Sequence, residues 1–245
     1  MSRVNIMGVG FDSMTLSQAV GFMTGMVERG ESGYVVTPNP EIVYACRNDS
    51  ALSEVLNGAV LVAPDGIGIV HASRLLKTPL PERVPGIELG ERLAAWMAQN
   101  GKRLYLLGAK PGIAERAAEN LKHTHPGLVI AGTHDGYFRE DGPVVEILKQ
   151  ARPDAVFVCT GFPKQEKFMA AHTRELPHCL MLGLGGSLDV FAGEVRRAPG
   201  VFRKCGLEWF YRLLCEPRRI GRMMKLPAFL WLVVRERVRP RKEGV

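Results

Sequence analysis

Six clusters of polar residues and glycines each follow an apolar run of the sequence. Their hydroxyl, amide, carboxylate and ammonium groups are those from which binding and catalytic sites are made. The clusters are residues 37–41, 64–68, 108–112, 135–138, 160–166 and 185–189. Each cluster taken alone is more typical of a turn than of a site. Together, at one edge of a sheet, they would favour a binding site.

Asp65 has the local surroundings of a general base. It follows the apolar run 60–63 and precedes Gly66 and Gly68, which would let a substrate approach the backbone. A carboxylate beside apolar walls can accept a proton from a substrate hydroxyl group. The same spacing also fits an Asx-turn or a helix N-cap, and the sequence leaves both interpretations open.

Common signatures of nucleotide and hydrolase sites are incomplete in this sequence. Gly8 and Gly10 are followed by Ser13, where a dinucleotide-binding loop has its third glycine. Asp189 stands where a nucleophile elbow that began at Gly185 would need glycine. No Walker loop occurs either.

Signals for a metal or a cofactor are also missing. The histidines lack metal-ligand spacing, and the sequence has no Asp-x-Asp, the carboxylate pair with which many sugar-nucleotide enzymes hold a divalent cation. The five cysteines include no C-x-x-C pair, and we expect them to be buried free thiols. We therefore expect neither a metal nor a cofactor. Without a metal, a departing pyrophosphate must be neutralised by Arg, Lys or backbone N–H groups.

Short apolar runs alternate with longer amphipathic stretches over most of the chain. The runs that predict strands are 4–9, 34–37, 60–63, 104–108, 128–131, 155–160 and 179–183. Helical periodicity covers 16–28, 88–100, 113–123, 144–150 and 166–175. Thr15 and Gln18 have capping-box spacing, and Asn39-Pro40 predicts a helix that begins directly after the second strand. The alternation predicts an open, mostly parallel, Rossmann-like α/β sheet with helices on both faces. Ligands of such sheets bind beyond the carboxyl ends of the strands, where the polar clusters fall.

Positive charge is concentrated at the C-terminal end of the chain. Residues 196–245 contain 14 Lys and Arg against 4 Asp and Glu, while the rest of the chain contains 18 against 21. We therefore divide the chain into an α/β domain, residues 1–199, and a basic appendage of amphipathic helices, residues 200–245. The asymmetry favours a polyanionic partner, which could be membrane phosphate, a pyrophosphate-bearing lipid or nucleic acid.

The appendage lacks the pattern of a membrane-spanning helix. Its longest apolar run, 226–234, contains Pro227 and is about half of the roughly 18 residues that a span needs. The N-terminus has no signal-peptide pattern, so we expect a cytoplasmic protein. Apolar side chains that could enter a lipid interface beside arginines are Leu226, Phe229, Leu230, Trp231 and Val234. The alternative is that this segment packs on the α/β domain or on another subunit.

Taken in order, these segments match one family of enzymes over almost the whole chain. The matching residues are Thr37-Pro38-Asn39-Pro40-Glu41, Asp65-Gly66-Ile67-Gly68, Arg83-Val84-Pro85-Gly86, Leu107-Gly108 with Pro111-Gly112, Gly136-Tyr137-Phe138, Gly161-Phe162-Pro163-Lys164-Gln165-Glu166, Asp189 with Ala192-Gly193, Arg197-Ala198-Pro199, and Leu207-Glu208-Trp209 with Tyr211-Arg212-Leu213 and Glu216-Pro217-Arg218-Arg219. No single motif is decisive, but their order is specific. The sequence resembles the WecG/TagA/CpsF glycosyltransferases (glycosyltransferase family 26).

The resemblance implies an inverting, metal-independent transfer from a UDP-sugar to an undecaprenyl-diphosphate-linked sugar, in teichoic acid or surface polysaccharide synthesis. The implied donor is UDP-N-acetylmannosamine or its uronic acid, with glucose-type donors as the alternative. The resemblance also implies a GT-E-like fold, with a catalytic α/β domain and an appendage that binds the anionic inner face of the cell membrane. Nucleic acid is then not a partner, and a homo-oligomer stays open.

The resemblance also assigns residues to the site. Asp65 matches the residue that serves as the catalytic base. Residues that match the substrate pocket are Thr37, Asn39, Arg83 and Gln165, and residues of the basic appendage are Arg212, Arg219 and Arg222. Weaker predictions for UDP contact are Gly108, Gly112 and Tyr137, and we also place Lys164 and Asp189 among the substrate-binding residues. One departure from the family's pattern is Phe168, where Trp is expected after the Lys-Gln-Glu motif.

Two functions without catalysis are alternatives. The chain could be a scaffold that binds a diphosphate lipid, or a nucleic-acid binder that uses its basic appendage. The appendage carries Trp209, Tyr211 and Trp231 but contains no recognised nucleic-acid module. A scaffold would have no need for six polar clusters at one edge of the sheet, which favours the enzyme.

Overall fold

A computed structural model of the protein describes residues 2–200, 202, 210–211 and 225–238. Its strands are β1 (Arg3–Ile6), β2 (Val9–Asp12), β3 (Gly33–Val36), β4 (Leu61–Val62), β5 (Arg103–Gly108), β6 (Val129–His134), β7 (Ala155–Cys159) and β8 (Leu180–Gly183). Its helices are α1 (Leu16–Arg29), α2 (Pro40–Cys46), α3 (Ser50–Asn57), α4 (Ile67–Leu75), α5 (Gly86–Gln99), α6 (Ile113–Thr124), α7 (Asp141–Ala151), α8 (Lys164–His172), α9 (Ser187–Phe191) and α10 (Lys225–Val238). A short 3₁₀ helix, Thr173–Glu175, follows α8.

Strands β3 to β8 form one parallel sheet in the order β4-β3-β8-β7-β5-β6. Successive residues of a strand point to opposite faces. In β7, Val156 and Val158 enter a core with α2, α3, α7 and α8, whereas Ala155 and Phe157 enter a core with α1, α5, α6 and α9. Because helices cover both faces, the inner strands β3, β7 and β8 are buried and apolar along their length, whereas the edge strand β6 is only partly buried. The predicted mostly parallel α/β sheet with helices on both faces is confirmed.

The first apolar run, residues 4–9, is a hairpin and not the single strand of the main sheet that the sequence predicts. Strands β1 and β2 pair in antiparallel register around Met7 and Gly8. Both turn residues have positive φ, 54° and 89°, as a type I′ turn requires. Met7 is an unusual residue for that conformation, so the apolar run carries no turn signal at this position. Gly8 and Gly10 therefore belong to a hairpin and not to a nucleotide-binding loop.

The hairpin covers the outer edge of β4 through Asp12. This side chain is 1% exposed, and its Oδ2 accepts a hydrogen bond from the backbone N–H of Val62 at 2.8 Å. Its Oδ1 accepts from Nε of Arg3 at 3.2 Å, and Arg3 also donates to the carbonyl oxygens of Asn57 and Ala59. These bonds satisfy backbone groups of an edge strand and fix β4, which ends shortly before Asp65.

Two helices begin at the caps that the sequence predicts. The hydroxyl oxygen of Thr15 accepts from the backbone N–H of Gln18, and Gln18 Oε1 accepts from the backbone N–H of Thr15. Asn39 Oδ1 accepts from the N–H of Ile42 at 3.0 Å. Helices α3 and α4 are not predicted by periodicity, since at 8 and 9 residues each is too short for an apolar stripe to stand out.

Helix α10 packs on the α/β domain against α2 and α4. Phe229 and Val233 are fully buried in the core beside α2, and Leu226 and Leu230 pack against that core. The expectation that Phe229 enters a lipid interface is therefore wrong, because the α/β domain already covers this side chain. Trp231 and Val234 are 61% and 45% exposed, so these two apolar side chains of the helix remain open to another surface.

Residues 201, 203–209, 212–224 and 239–245 of the predicted appendage lie outside the described residues. The division of the chain at residue 199 therefore stays a prediction. None of the helices that the structure describes combines the length and the apolar composition that crossing a membrane requires.

Candidate active site

Asp65 lies in the loop between β4 and α4, at the N-terminus of α5. Its Oδ2 accepts a hydrogen bond from the backbone N–H of Gly86, the first residue of α5, at 3.3 Å. Pro85 at the N-cap position of α5 supplies no side-chain hydrogen bond. Asp65, which is distant in the sequence, accepts from one of the first N–H groups of the helix, as an N-cap side chain usually does. The N–H groups at a helix N-terminus are suited to a negatively charged group, so the carboxylate of Asp65 and the start of α5 are complementary. The cap and the base, which the sequence left as alternatives, are therefore compatible roles.

Two other strand ends converge on Asp65. The backbone N–H of Asp65 donates to the carbonyl oxygen of Pro38 at 3.3 Å, which joins the loops after β3 and β4. The Thr37 hydroxyl donates to the carbonyl oxygen of Gly183, the last residue of β8, at 3.2 Å. A Cβ atom added to Gly86 would lie 2.9 Å from Thr37 Oγ1, so this hydroxyl also adjoins the start of α5. The ends of β3, β4 and β8 thus share one surface with Asp65.

Arg83 and Asn39 border the same surface. The backbone N–H of Val84 donates to the carbonyl oxygen of Pro64 at 2.9 Å, so the segment that carries Arg83 runs beside Asp65. Asn39 uses its side-chain oxygen to cap α2. A Cβ atom on Gly66 would lie 3.8 Å from the Cβ atom of Asn39, which places this residue next to the Asp65 loop. The structure therefore brings together four predicted site residues, namely Thr37, Asn39, Asp65 and Arg83.

Gln165 is buried and holds the loop that follows β8. Gln165 is only 4% exposed. Its Oε1 accepts a hydrogen bond from the backbone N–H of Gly185 at 3.0 Å. Its Nε2 donates to Glu166 Oε1 at 2.8 Å. The amide nitrogen carries a second N–H, so a ligand contact from Gln165 is compatible with this arrangement. Its contact with Gly185 could not be anticipated from the sequence.

A cavity of about 350 Å³ opens at the carboxyl ends of β5 and β7. The chain leaves β5 into α6 on one face of the sheet and leaves β7 into α8 on the other. Parallel α/β sheets bind ligands where the chain departs in opposite directions, and the volume is within the usual range for ligand pockets. The residues that line the cavity are Ala109, Lys110, Gly136, Tyr137, Cys159, Thr160 and Asp189.

The cavity contains two of the predicted substrate-binding side chains, Tyr137 and Asp189. Gly108 and Gly112 flank it. Gly108 packs so closely on β7 that an added Cβ atom would lie 2.4 Å from the carbonyl carbon of Cys159. Gly112, with a φ of 83°, ends the loop at the N-terminus of α6. This helix has no side-chain cap, and the N–H of Ile113 donates to the carbonyl oxygen of Lys110, so the N–H groups of the next two residues are the ones suited to an anion.

Two cavity residues, Lys110 and Thr160, were not selected from the sequence. Thr160 Oγ1 is buried and has no hydrogen-bond partner among the described residues. A buried hydroxyl oxygen that lines a cavity without a protein partner is suited to hydrogen-bond a ligand. Both residues belong to polar clusters that directly follow strands, and that position is the sequence signal that could have identified them.

Lys164 contacts the segment that forms one wall of the cavity. Its Nζ donates to the carbonyl oxygens of Gly136 and Phe138 at 3.0 and 2.8 Å, and it lies 3.5 Å from the centre of the Phe138 ring. Lys164 thus fixes the segment that carries Tyr137. Phe168, where the family pattern has Trp, is buried with its ring edge against Phe138, 5.9 Å between centroids, as expected for a packing residue.

The described residues contain neither a metal-binding cluster nor a thiol with a lowered pKa. No group of three or more His, Cys, Asp and Glu in this part of the chain could hold a metal ion. Burial raises the pKa of the Cys46 thiol to about 11 and the pKa of the Cys159 and Cys179 thiols to about 12, which suppresses the reactive thiolate. Three predicted site residues, Arg212, Arg219 and Arg222, lie outside the described residues.

Comparison with known proteins shows the family to which the chain belongs. Residues 4–243 match the glycosyl transferase WecG/TagA/CpsF family. The N-acetylglucosaminyldiphosphoundecaprenol N-acetyl-beta-D-mannosaminyltransferase of Staphylococcus aureus strain NCTC 8325 is 38% identical over 243 residues, which cover 98% of this chain and 96% of the relative. The enzyme of the same name from Staphylococcus aureus strain MRSA252 is 37% identical over the same shares of both chains. The chain is therefore a glycosyltransferase that belongs to the WecG/TagA/CpsF family.

Proposed function

We propose that the protein is an inverting, metal-independent glycosyltransferase that moves a sugar from UDP to an undecaprenyl-diphosphate-linked sugar. The best candidate for the transferred sugar is N-acetylmannosamine or its uronic acid, with a glucose-type sugar as the alternative. The observation that carries the proposal is the position of Asp65, held at the N-terminus of α5 beside Thr37, at the sheet edge that also contains the cavity. The name of the related enzymes supports the acceptor class and the mannosamine donor.

In the proposed reaction Asp65 is the general base. The acceptor hydroxyl oxygen forms a bond to the anomeric carbon of the donor, and its proton passes to a carboxylate oxygen of Asp65. The bond from the anomeric carbon to the phosphate oxygen breaks on the opposite side, and its electron pair leaves with UDP. One displacement of this kind inverts the anomeric centre and needs one base and one stabilised leaving group.

The cavity between β5 and β7 is proposed to hold UDP. The N-terminus of α6 beside Gly112 and the ammonium group of Lys110 are suited to the diphosphate, because both stabilise negative charge. Tyr137, which is 69% exposed, can stack on the uracil base, and the Thr160 hydroxyl can bond a polar group of the donor. Arg83 is proposed to neutralise charge that develops on UDP as it leaves.

Acceptor binding is proposed to involve the polar groups near Asp65 and the basic C-terminal region. Thr37, Asn39 and Gln165 are suited to the hydroxyl or N-acetyl groups of a sugar. Arg212, Arg219 and Arg222 are proposed to grip the acceptor diphosphate, since guanidinium binds phosphate through paired donors. A lipid acceptor also gives a reason for association with the inner face of the cell membrane, where exposed Trp231 could enter the interface.

A donor panel tests the proposed function. The purified protein would be mixed with UDP-N-acetylmannosamine, its uronic acid, UDP-N-acetylglucosamine or UDP-glucose, each with and without a lipid-diphosphate N-acetylglucosamine acceptor. We expect acceptor-dependent release of UDP, fastest with a mannosamine-type donor, and a product of inverted anomeric configuration by NMR. Failure of every donor to release UDP in the presence of acceptor would refute the proposal.

Activity is expected to survive an excess of EDTA. The proposed leaving-group stabilisation uses Arg83, Lys110 and a helix N-terminus, so removal of divalent cations should leave the rate of UDP release unchanged. The measurement compares initial rates with EDTA, with added magnesium and with added manganese. Loss of activity in EDTA that either cation restores would contradict a metal-independent transfer.

A further inference from the structure

Glu166 is a buried carboxyl group that the proposed mechanism does not use. The residue is 1% exposed and lies in the first turn of α8. Its Oε1 accepts from Gln165 Nε2, and its Oε2 is buried with no hydrogen-bond partner among the described residues. Burial raises the pKa of this carboxyl group, which favours its neutral form. A buried carboxyl group with an unsatisfied oxygen destabilises a protein. The presence of Glu166 at this position therefore indicates that the residue has a function that offsets this cost.

The bond from Gln165 to Glu166 determines which end of the Gln165 amide faces Gly185. An amide side chain can present either its oxygen or its nitrogen to a neighbour by rotation about one bond. The N–H of Gly185 can bond only to the oxygen. Because Glu166 Oε1 accepts from the nitrogen, it holds the amide with Oε1 towards Gly185, as observed at 3.0 Å.

The segment that Gln165 holds lies between the two halves of the site. Strand β8 runs between β3 and β7, so the loop after it separates the Asp65 surface from the cavity. Gly183 at its start receives the Thr37 hydroxyl, and a Cβ atom there would lie 3.0 Å from Gln165 Nε2. Asp189 beyond its end lines the cavity. A shift of this loop would change the distance between the base and the donor.

We propose that Glu166 is a positioning residue, which orients the Gln165 amide and thereby fixes the 183–186 loop between the acceptor and donor halves of the active site. The proposal rests on the function proposed above. Glu166 touches neither substrate. Glu166 orients Gln165, and Gln165 holds Gly185 in place. The position of Gly185 in turn determines the distance between Asp65 and the donor. Misplacement of reacting groups by about 1 Å can cost about 10²-fold in rate.

Two substitutions of Glu166 test the role of its acceptor oxygen. Glu166→Gln keeps an oxygen that accepts from Gln165 Nε2 and resembles the neutral acid in shape. We expect its kcat and KM to remain within about threefold of wild type. Glu166→Leu removes the acceptor, and we expect kcat to fall by about 10- to 100-fold with UDP affinity much less affected. Hydrogen exchange of the Gly185 amide, followed by NMR, should accelerate in Glu166→Leu and not in Glu166→Gln.

A double-mutant cycle tests whether Glu166 acts through Gln165. Gln165→Leu should lose at least as much kcat as Glu166→Leu, because it also removes the proposed sugar contact. The double variant should lose little more than Gln165→Leu alone, since Glu166 acts only through Gln165. Tyr34→Phe is the matched control, because it removes a buried hydrogen bond, to the carbonyl oxygen of Val55, at the opposite end of β3. We expect it to alter neither kcat nor Gly185 exchange.

Several outcomes would overturn the positioning role. They are unchanged kcat and Gly185 exchange in a folded Glu166→Leu variant, a large loss of activity in Glu166→Gln, and full additivity in the double variant. If Glu166→Leu does not fold, the other two variants still test the proposal. The proposal requires Glu166→Gln to be active. It requires Gln165→Leu to have a low kcat and faster exchange of the Gly185 amide. A wild-type protein that is inactive on every donor would refute the proposed function, while Gly185 exchange would still report on the positioning.

Discussion

Asp65→Asn is expected to lower the rate of sugar transfer by about 10² to 10⁴ while leaving the fold and the affinity for UDP unchanged. Asparagine keeps an oxygen that can accept from the N–H of Gly86, so the connection to α5 survives. It cannot take up the proton of the acceptor hydroxyl at the moment of attack. The loss should therefore appear in kcat, which is measured by UDP release at saturating donor and acceptor, with UDP binding followed by calorimetry.

Asp49→Asn is the matched control for this experiment. Asp49 also accepts a backbone N–H bond, from Leu52 at 3.0 Å, but it caps α3 away from the strand ends that surround Asp65. Its substitution should leave kcat unchanged. Transfer at a near wild-type rate by a folded Asp65→Asn protein would remove Asp65 from the role of base, and the search would then move to the other groups around Thr37.

Phe229→Ala is expected to lower the free energy of unfolding by about 3–5 kcal/mol. The aromatic ring is fully buried where α10 packs on α2 and α4, and its removal leaves a cavity in the core beside the Asp65 loop. Leu226, on the same helix, approaches the position of a Gly68 Cβ atom at 3.0 Å, so α10 also supports the segment directly after Asp65. Urea unfolding monitored by circular dichroism gives the free energy.

Trp231→Ala is the companion variant, since it changes an exposed aromatic residue of the same helix. We expect a change in the free energy of unfolding of at most about 0.5 kcal/mol, but weaker sedimentation with anionic liposomes. The reverse pattern, in which Phe229→Ala weakens liposome binding and leaves the unfolding midpoint unchanged, would show that the inner face of α10 meets lipid and not the α/β domain.

The fold was largely predictable because its signals are local. The continuous apolar runs around Val35, Leu106 and Phe157 report strands that are buried on both faces, and the caps at Thr15 and Asn39 report where helices start. The hairpin was missed because its turn contains Met7, whose positive φ leaves no trace in the sequence pattern. Lengths also differed, as at β6, which runs on to His134 because Gly132, Thr133 and His134 continue the pairing with β5.

The grouping of the predicted site residues at one edge of the sheet could be predicted from the sequence, but the contacts between them could not. Polar residues after parallel strands must share an edge, so the order of strands and polar clusters along the chain is enough to group Thr37 with Asp65. Their contacts could not be predicted, since Asp65 bonds to Gly86 and Thr37 bonds to Gly183, far along the chain. The contacts of Lys164, which is predicted to bind substrate, could not be predicted either, since its Nζ donates to the carbonyl oxygens of Gly136 and Phe138.

The central position of β8 has a consequence for the order in which the protein acquires its structure during synthesis. Strand β3 pairs with β4 and β8, and β7 pairs with β5 and β8, so Leu180–Gly183 alone joins the two halves of the sheet. A nascent chain that ends before Leu180 can form a two-stranded and a three-stranded piece, each with an unpaired apolar edge. Such edges bind other strands, and chaperones that shield them would be needed until β8 leaves the ribosome.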